Sequence, residues 1–282
     1  MLANRKQIEK KAMEPILKDL SDSSLLTAIE ENLFAMIPLF EEWSKAEVRD
    51  STELLELITE IPFPLFNSVL RPRLSPETMD DAINATITRC KLKNVPMLWW
   101  IGPSSQPSDL GSRLESFGFQ ATEVPGMAAD LDSLPEKLEL PRDFVVDKVK
   151  SNEDLEIWCR VLCKAFEMPD FVGDAFFEFY RNIGFDQHSP NHNYLGSLKD
   201  EVVATSSLFL GAGVAGIYNV ATLQGARRKG IGAAMTAAPL MEARSLGYRV
   251  GILHSSEIGF NVYRKLGFRE YCKIFQHVWL DS

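Results

Sequence analysis

Residues 219–234 read NVATLQGARRKGIGAA, a short apolar run that breaks into Arg227-x-x-Gly230-x-Gly232 and then into a small-residue helical pattern. The pattern predicts a strand that delivers a row of bare backbone N–H groups to the start of a helix. Gly230 and Gly232 remove the side chains that would hold a ligand off that backbone. The first N–H groups of a helix have no intrahelical partner, and the helix dipole adds partial positive charge there. Arg227, Arg228 and Lys229 set three cations at the same spot, in a chain whose formal net charge is −9. Together these features suit an anion such as a pyrophosphate. Glycine also serves any tight turn, so the Gly-x-Gly pair alone leaves a ligand-free turn open.

Downstream, apolar residues at helical spacing (Ala233, Met235, Leu240, Met241, Leu246) predict a helix over 230–246, with Gly247 as its stop. Pro239 is expected to kink that helix or end its first half. Residues 249–254 read as a buried strand, 257–266 as a helix stopped by Gly267, and 268–280 as an aromatic, β-branched strand.

In Arg227-x-x-Gly230-x-Gly232 and the later string NVYRKLGF (261–268), the chain resembles the GCN5-related N-acetyltransferase (GNAT) family over roughly residues 142–282. The resemblance implies an α+β fold with a mostly antiparallel, splayed central sheet flanked by helices. It also implies acetyl-CoA as co-substrate and direct acyl transfer to an amine, without a metal. Residue by residue, the backbone of Val220, Ala221 and Thr222 would pair with the acetyl and pantetheine groups like an added strand. The amides of Arg228, Lys229, Gly230, Ile231, Gly232 and Ala233, beside Arg227, would hold the pyrophosphate. Tyr263 stands where the family often keeps a tyrosine that protonates the departing thiolate. A free thiol near ~8.5 and a phenol near ~10 make that transfer feasible with little tuning. Ser256 stands where many members carry an asparagine that touches the cofactor. Read without the family, Tyr263 could equally pack on the terminal strand.

The general base stays open between His254, Glu257, Glu167, Asp170 and Asp174. Asn219 lies where some relatives carry a carboxylate, and an amide cannot take a proton, so a water relay is an alternative. An acyl-CoA sensor without transfer activity is the other reading of the same turn. Phe171, Phe176, Phe177, Phe179 and Tyr180 sit mostly at helical spacing and read as core before they read as an acceptor cage.

Hydrophobic residues at 45% and charged residues at 24% fit an ordinary globular protein, and the acidic balance argues against a nucleic-acid surface. No apolar run approaches the roughly 20 residues that span a bilayer, and the start MLANRKQIEKKAMEPIL has no secretory core, so a cytoplasmic protein is expected. The four cysteines (90, 159, 163, 272) form no ligand cluster or disulfide pattern; Cys159 and Cys163 read as buried small hydrophobes. His188 and His192 flank a Ser-Pro-Asn loop and read the same way. The expected partner is a small-molecule or peptide amine, with monomer and homodimer both open.

The first half reads as helices over residues 1–46, strands at 53–58 and 65–70, a helix from Pro76 capped by Ser75, a strand at 96–101, a helix at 109–117 and a strand at 119–131. LESFGF (114–119) stands where YRKLGF (263–268) stands later, which predicts two divergent copies. The first copy has RPRLSPET in place of the glycine turn, and Pro72 and Pro76 remove two amide donors. Residues 1–135 are therefore expected to be a cofactor-free copy and 142–282 the acetyltransferase domain. Their boundary is expected in Asp132–Pro141, and the second copy is expected to open with a strand at 144–150, a helix at 152–166, a break at 168–174 and a helix at 175–183.

Overall fold

The computed structural model of the chain describes residues 15–135, 140–186 and 189–280. Helix α1 (Asp22–Met36) leads into strands β1 (Ala46–Asp50), β2 (Leu55–Thr59) and β3 (Ser68–Leu70), followed by α2 (Met79–Lys93), β4 (Met97–Ile101), α3 (Leu110–Ser116) and β5 (Gln120–Asp130). Then come β6 (Phe144–Lys148), α4 (Asn152–Phe166), α5 (Asp170–Ile183), β7 (Asn191–Leu198), β8 (Glu201–Gly211) and β9 (Val214–Thr222). The last elements are α6 (Ile231–Ser245), β10 (Val250–His254), α7 (Glu257–Lys265) and β11 (Arg269–Trp279).

The chain forms two compact units, and neither is continuous in sequence. One joins the stretch up to Asn32 with Gly126–Tyr271; the other joins Leu33–Pro125 with the stretch from Cys272 onward. In the first, the strand order is β5-β10-β9-β8-β7-β6, antiparallel except for the β10–β9 pair. In the second it is β1-β2-β3-β4-β11, antiparallel except for β3–β4. The two sheets share a rule: one parallel pair, then an antiparallel strand beyond it. In each case that closing strand comes from the other half of the chain, because β5 completes the sheet holding β10 and β11 the sheet holding β4.

This differs from a division at Asp132–Pro141, of which residues 136–139 lie outside the described residues. The physical reason is edge coverage. β10 is buried along most of its length, and a buried edge must find backbone partners. Residues 126–130 of β5 supply them, in register from Val250↔Asp130 to His254↔Gly126.

Each unit has its own core. Leu208, Ala215, Ile217, Ile231, Met235, Leu253, Tyr263 and Phe268 belong to the first; Ile83, Met97, Trp99, Leu110, Leu114 and Trp279 belong to the second. Ser151 caps α4 by accepting the Asp154 N–H at 3.1 Å, as its position before the acidic first turn foretells. On α6, Glu242 meets Lys148 Nζ at 2.5 Å, Tyr194 Oη at 3.0 Å and His192 Nδ1 at 3.3 Å.

Four local expectations are corrected. EPILKDL is not helical from Pro15 on; that stretch is irregular and docks by a Leu17 N–H to Gly213 carbonyl bond of 2.9 Å. The helix α6 runs unbroken through Pro239, which is buried among Leu240, Ala243 and Met235, and that packing outweighs the ring's clash and missing donor. The helix α5 begins at Asp170 rather than 175, leaving a break of only Glu167–Pro169, with Glu167 left-handed at φ 55. Strand β1 (Ala46–Asp50) falls where the sequence predicts helix end, because its charged, exposed face lacks a β pattern. Residues 1–14 and His188 lie outside the described residues.

Asn32 of α1 locks the first unit's hairpin. Wholly buried, it donates Nδ2 to the Gly211 carbonyl at 2.8 Å and accepts the Tyr218 hydroxyl at 2.8 Å on Oδ1. A Cβ at Gly216 would collide with Asn32 Oδ1 and the Tyr218 ring. Gly216→Ala should therefore lower unfolding stability by about 1–3 kcal/mol in urea titration, with an unchanged m-value; a neutral result would refute this close approach.

Burial raises the Glu242 carboxyl, but donors from His192, Lys148 and Tyr194 outweigh it and hold the group at about 2, against an ordinary 4.5. A depressed carboxylate contributes its stability above the unfolded value and loses it as pH falls through the folded one. Glu242→Gln should thus flatten the acid limb of the stability profile between about pH 5 and 2. Parallel profiles for the two proteins would show that the cluster does not act this way.

Candidate active site

The site is built where a sheet comes apart. The parallel pairing of β9 with β10 covers only Ala215–Ile217 against Gly251–Leu253. β9 continues to Thr222 and stays paired with β8 on its other edge as far as Ala204↔Thr222. Its edge toward β10 is thus without a strand partner from Tyr218 to Thr222 among the described residues. Val220, Ala221 and Thr222 lie on this stretch, which can accept an extended ligand as an added strand.

The free edge runs into the glycine turn. Arg228 (φ 63) and Gly230 (φ 80) are left-handed, and Gly230 is the N-cap of α6. No side chain caps this helix, and its first intrahelical bond is Ala234 N–H to the Gly230 carbonyl at 3.1 Å. The Ile231, Gly232 and Ala233 amides therefore meet no partner from their own helix. A Cβ at Gly232 would have no atom within 4 Å. Nothing in the fold requires a glycine there, although glycine costs about 1 kcal/mol against alanine in a helix. The vacant space fits a bulky anion seated on the amides.

The three cations divide their work. Arg227 donates Nε to the Thr222 carbonyl at 3.0 Å and Nη2 to the Ala165 carbonyl at 3.1 Å, so its side chain braces the turn against the end of α4. Lys229 Nζ donates to the Gly225 carbonyl at 3.2 Å. Arg228 is exposed and makes no hydrogen bond or ion pair among the described residues.

Tyr263 lies 8% exposed in the core that also holds Ile231 and Ala226, with Val220 packed against it. Its ring sits edge-on to Phe268 at 6.1 Å, and Gly259, one turn earlier, leaves the room it needs. Burial pushes its phenol up to about 12. It stays protonated at any working pH. It is also a weaker acid than the sequence alone suggests: two pKa units above an ordinary phenol add about 3 kcal/mol to proton release.

Ser256 is committed to structure, its Oγ accepting the Gly259 N–H at 3.2 Å as the N-cap of α7. Among base candidates, Glu167, Asp170, Asp174 and Glu257 are exposed. His254 ends β10 beside Tyr218, with ring centroids 6.2 Å apart, and burial lowers its imidazole to about 4. It is neutral near pH 7. The described residues contain no group of three or more His, Cys, Asp or Glu that could hold a metal ion. A hollow of about 400 Å³ between Asp22, Ser23, Leu26 and Arg269–Tyr271 shares no residue with this site.

The matching turn of the other unit is closed by its own chain. After β3, Gln106 donates its N–H to the Pro72 carbonyl at 2.9 Å and accepts the Leu74 N–H at 3.1 Å. Arg71 is tied to Asp50 and the Ser51 carbonyl. Ser75 accepts the Thr78 N–H at 3.3 Å, but α2 starts at Met79, one turn later than a Ser75 cap implies.

An open strand edge thus leads directly to a helix start that no side chain caps. Residues 157–268, which include the glycine turn, match the model of the acetyltransferase (GNAT) family. The whole chain is similar in structure to a GCN5-related N-acetyltransferase from Kribbella flavida (17% identity, TM-score 0.69, covering 89% of this chain and 96% of that one). It is similar too to one from Sphaerobacter thermophilus (17%, TM-score 0.60, 94% and 93%) and to a tandem GNAT protein from the clavulanic acid biosynthesis pathway (11%, TM-score 0.57, 94% and 96%). At such identities these likenesses show the fold, a mixed α/β GNAT arrangement. No curated protein matches the chain by sequence.

Gly232→Ala should leave folding unchanged or raise stability by up to about 1 kcal/mol, since the Cβ enters open space and the helix gains propensity. A melting curve showing clear destabilisation would mean that the fold itself needs this glycine.

Proposed function

We infer that the chain is an acetyl-CoA-dependent N-acetyltransferase that passes the acyl group directly to an amine. The observation that carries this reading is the open backbone at Gly232, where a Cβ would meet no atom within 4 Å, set at the end of a free β9 edge within the stretch that matches the GNAT family. Acetyl-CoA supplies the thioester. The amides of Arg228 to Ala233 would hold its diphosphate, and the backbone of Val220–Thr222 would hold the pantetheine and polarise the acetyl carbonyl. Arg227 serves by shape, pinning Thr222 and the end of α4 to the turn.

In the transfer a C–N bond forms and the C–S bond breaks. The amine gives up one proton, and the departing sulfur takes one from Tyr263, which recovers its own from solvent. No described carboxylate is buried near the free edge, so the attacking amine loses its proton to water or to neutral His254. Bringing amine and thioester together supplies much of the acceleration.

The unit of Leu33–Pro125 and the residues from Cys272 would be a copy without cofactor, since Gln106 occupies the backbone positions that a ligand would need. All four cysteines are free and buried, and no helix among the described residues is long and apolar enough to cross a membrane. Free, buried cysteines support the reading of a reducing, cytoplasmic compartment, and the charge of −9 supports a protein that does not bind nucleic acid.

Gly232→Glu places a carboxylate in the cradle without touching the core. Calorimetry should show loss of CoA binding while the melting temperature holds; retained affinity would remove the turn from the site. Tyr263→Phe should lower turnover by about 10²-fold or more with CoA affinity nearly intact. Full turnover in that variant would leave Tyr263 as a packing residue.

A further inference from the structure

The function inferred above leaves the amine unspecified, and the backbone of Asn219 bears on it. Asn219 is left-handed at φ 53, a conformation few residues other than glycine adopt. It sits in an irregular stretch of the β8–β9 ladder. Tyr218 faces Ser207 and Ala221 faces Thr205, so Asn219 and Val220 together oppose Ser206 alone. Such a bulge re-aims a side chain. This one lies two residues beyond the last β9–β10 pair, Ile217↔Leu253, where the edge becomes free.

The hydrogen bonds around Asn219 fix which way its amide points. The Ser207 hydroxyl gives its proton to Asn193 Oδ1 at 2.6 Å, so toward Asn219 it can only accept. Asn219 Nδ2 supplies that bond at 3.1 Å and a second one to Tyr180 Oη at 3.2 Å. Asn193 Oδ1 also takes Asn191 Nδ2 at 3.4 Å, so the chain of donors runs one way. The Asn219 backbone carbonyl is bound by Thr205 Oγ1 at 3.0 Å. Both amide protons and the main-chain oxygen are committed. Oδ1 makes no hydrogen bond among the described residues, on a residue that is half-buried.

We propose that Asn219 Oδ1 accepts an N–H of the incoming amine and so orients it beside the β9 edge. This rests on the acetyltransferase reading. The geometry offers a fixed acceptor with its opposite side locked, beside the backbone that would hold the thioester. A primary amine has two N–H groups, one to dock and one to lose. A secondary amine has a single N–H for both purposes. The role is orientation, since an amide oxygen takes no proton.

The test uses the full chain, acetyl-CoA and a panel of primary amines with their N-methyl counterparts: benzylamine, histamine, 2-phenylethylamine and glucosamine. Thiol release is followed for wild type and Asn219→Gly. Glycine accepts the positive φ without strain, so the backbone should keep its course. The expected result is a wild type that favours a primary amine over its N-methyl partner by about tenfold or more, the scale of one hydrogen bond. Asn219→Gly should keep its CoA affinity and a cooperative melt at a somewhat lower temperature, since two hydrogen bonds to Tyr180 and Ser207 are lost, while it loses about tenfold in kcat/KM for that primary amine and brings the primary-to-secondary ratio close to one. An unchanged ratio in Asn219→Gly, or a wild type indifferent to N-methylation, overturns the role of Asn219 and leaves the acetyltransferase standing. A wild type that binds CoA but transfers to no amine of the panel overturns the acetyltransferase reading, and this inference with it.

Discussion

A parallel strand pair that stops early is the constraint on which the rest depends. Were β10 to follow β9 to Thr222, the backbone of Tyr218–Thr222 would be spent inside the sheet, and the glycine turn would end a closed edge. Because pairing ends at Ile217, the edge that faced β10 stays open, and β8 holds the strand from the other side through a bulge at Asn219 and Val220. The unit must then support an open edge within a folded core. It does so with Asn32 pinning the hairpin, Arg227 tying Thr222 to α4, and β5 covering the far edge of β10.

The two units show how little chemistry need change to close such a site. Both have one parallel pair followed by a borrowed antiparallel strand. After β9, glycines and an uncapped helix leave amides exposed; after β3, the stretch around Pro72 has lost donors to proline and its remaining groups bond to Gln106. One fold therefore carries an open cradle and a filled one, and sequence at the turn decides which. That agrees with the general rule that function resides in sites set on folds.

Much of this was legible in the chain itself. Glycines at 230 and 232, three adjacent cations and the alternation of strand and helix mark the turn, because those signals are local and depend on backbone geometry. The helices α4, α6 and α7 keep the bounds their periodicity predicts to within about a residue, and α4 keeps its Ser151 cap. Whatever depends on tertiary partners was hidden. Nothing in 120–130 or 269–279 announces that each strand finishes a sheet begun in the other half, since strand pairing is not written in a strand's own pattern. Pro239 looked like a break because its burial within the folded unit is not written in the local pattern. The sequence placed Asn219 where a base might be sought, but its left-handed backbone, locked amide and free oxygen come from partners 12 to 39 positions away. Tyr263 was visible, but the burial that weakens it as an acid was not.

The exchange of closing strands has a consequence for biogenesis. A nascent chain that has emerged only as far as Tyr271 carries β4 with one flank bare, since β11 is still inside the ribosome. The amino-terminal half cannot finish its sheet first, as domains made in tandem ordinarily would. Both halves mature together, once β11 has emerged, and until then the waiting flank is a place where chaperones or neighbouring copies can bind.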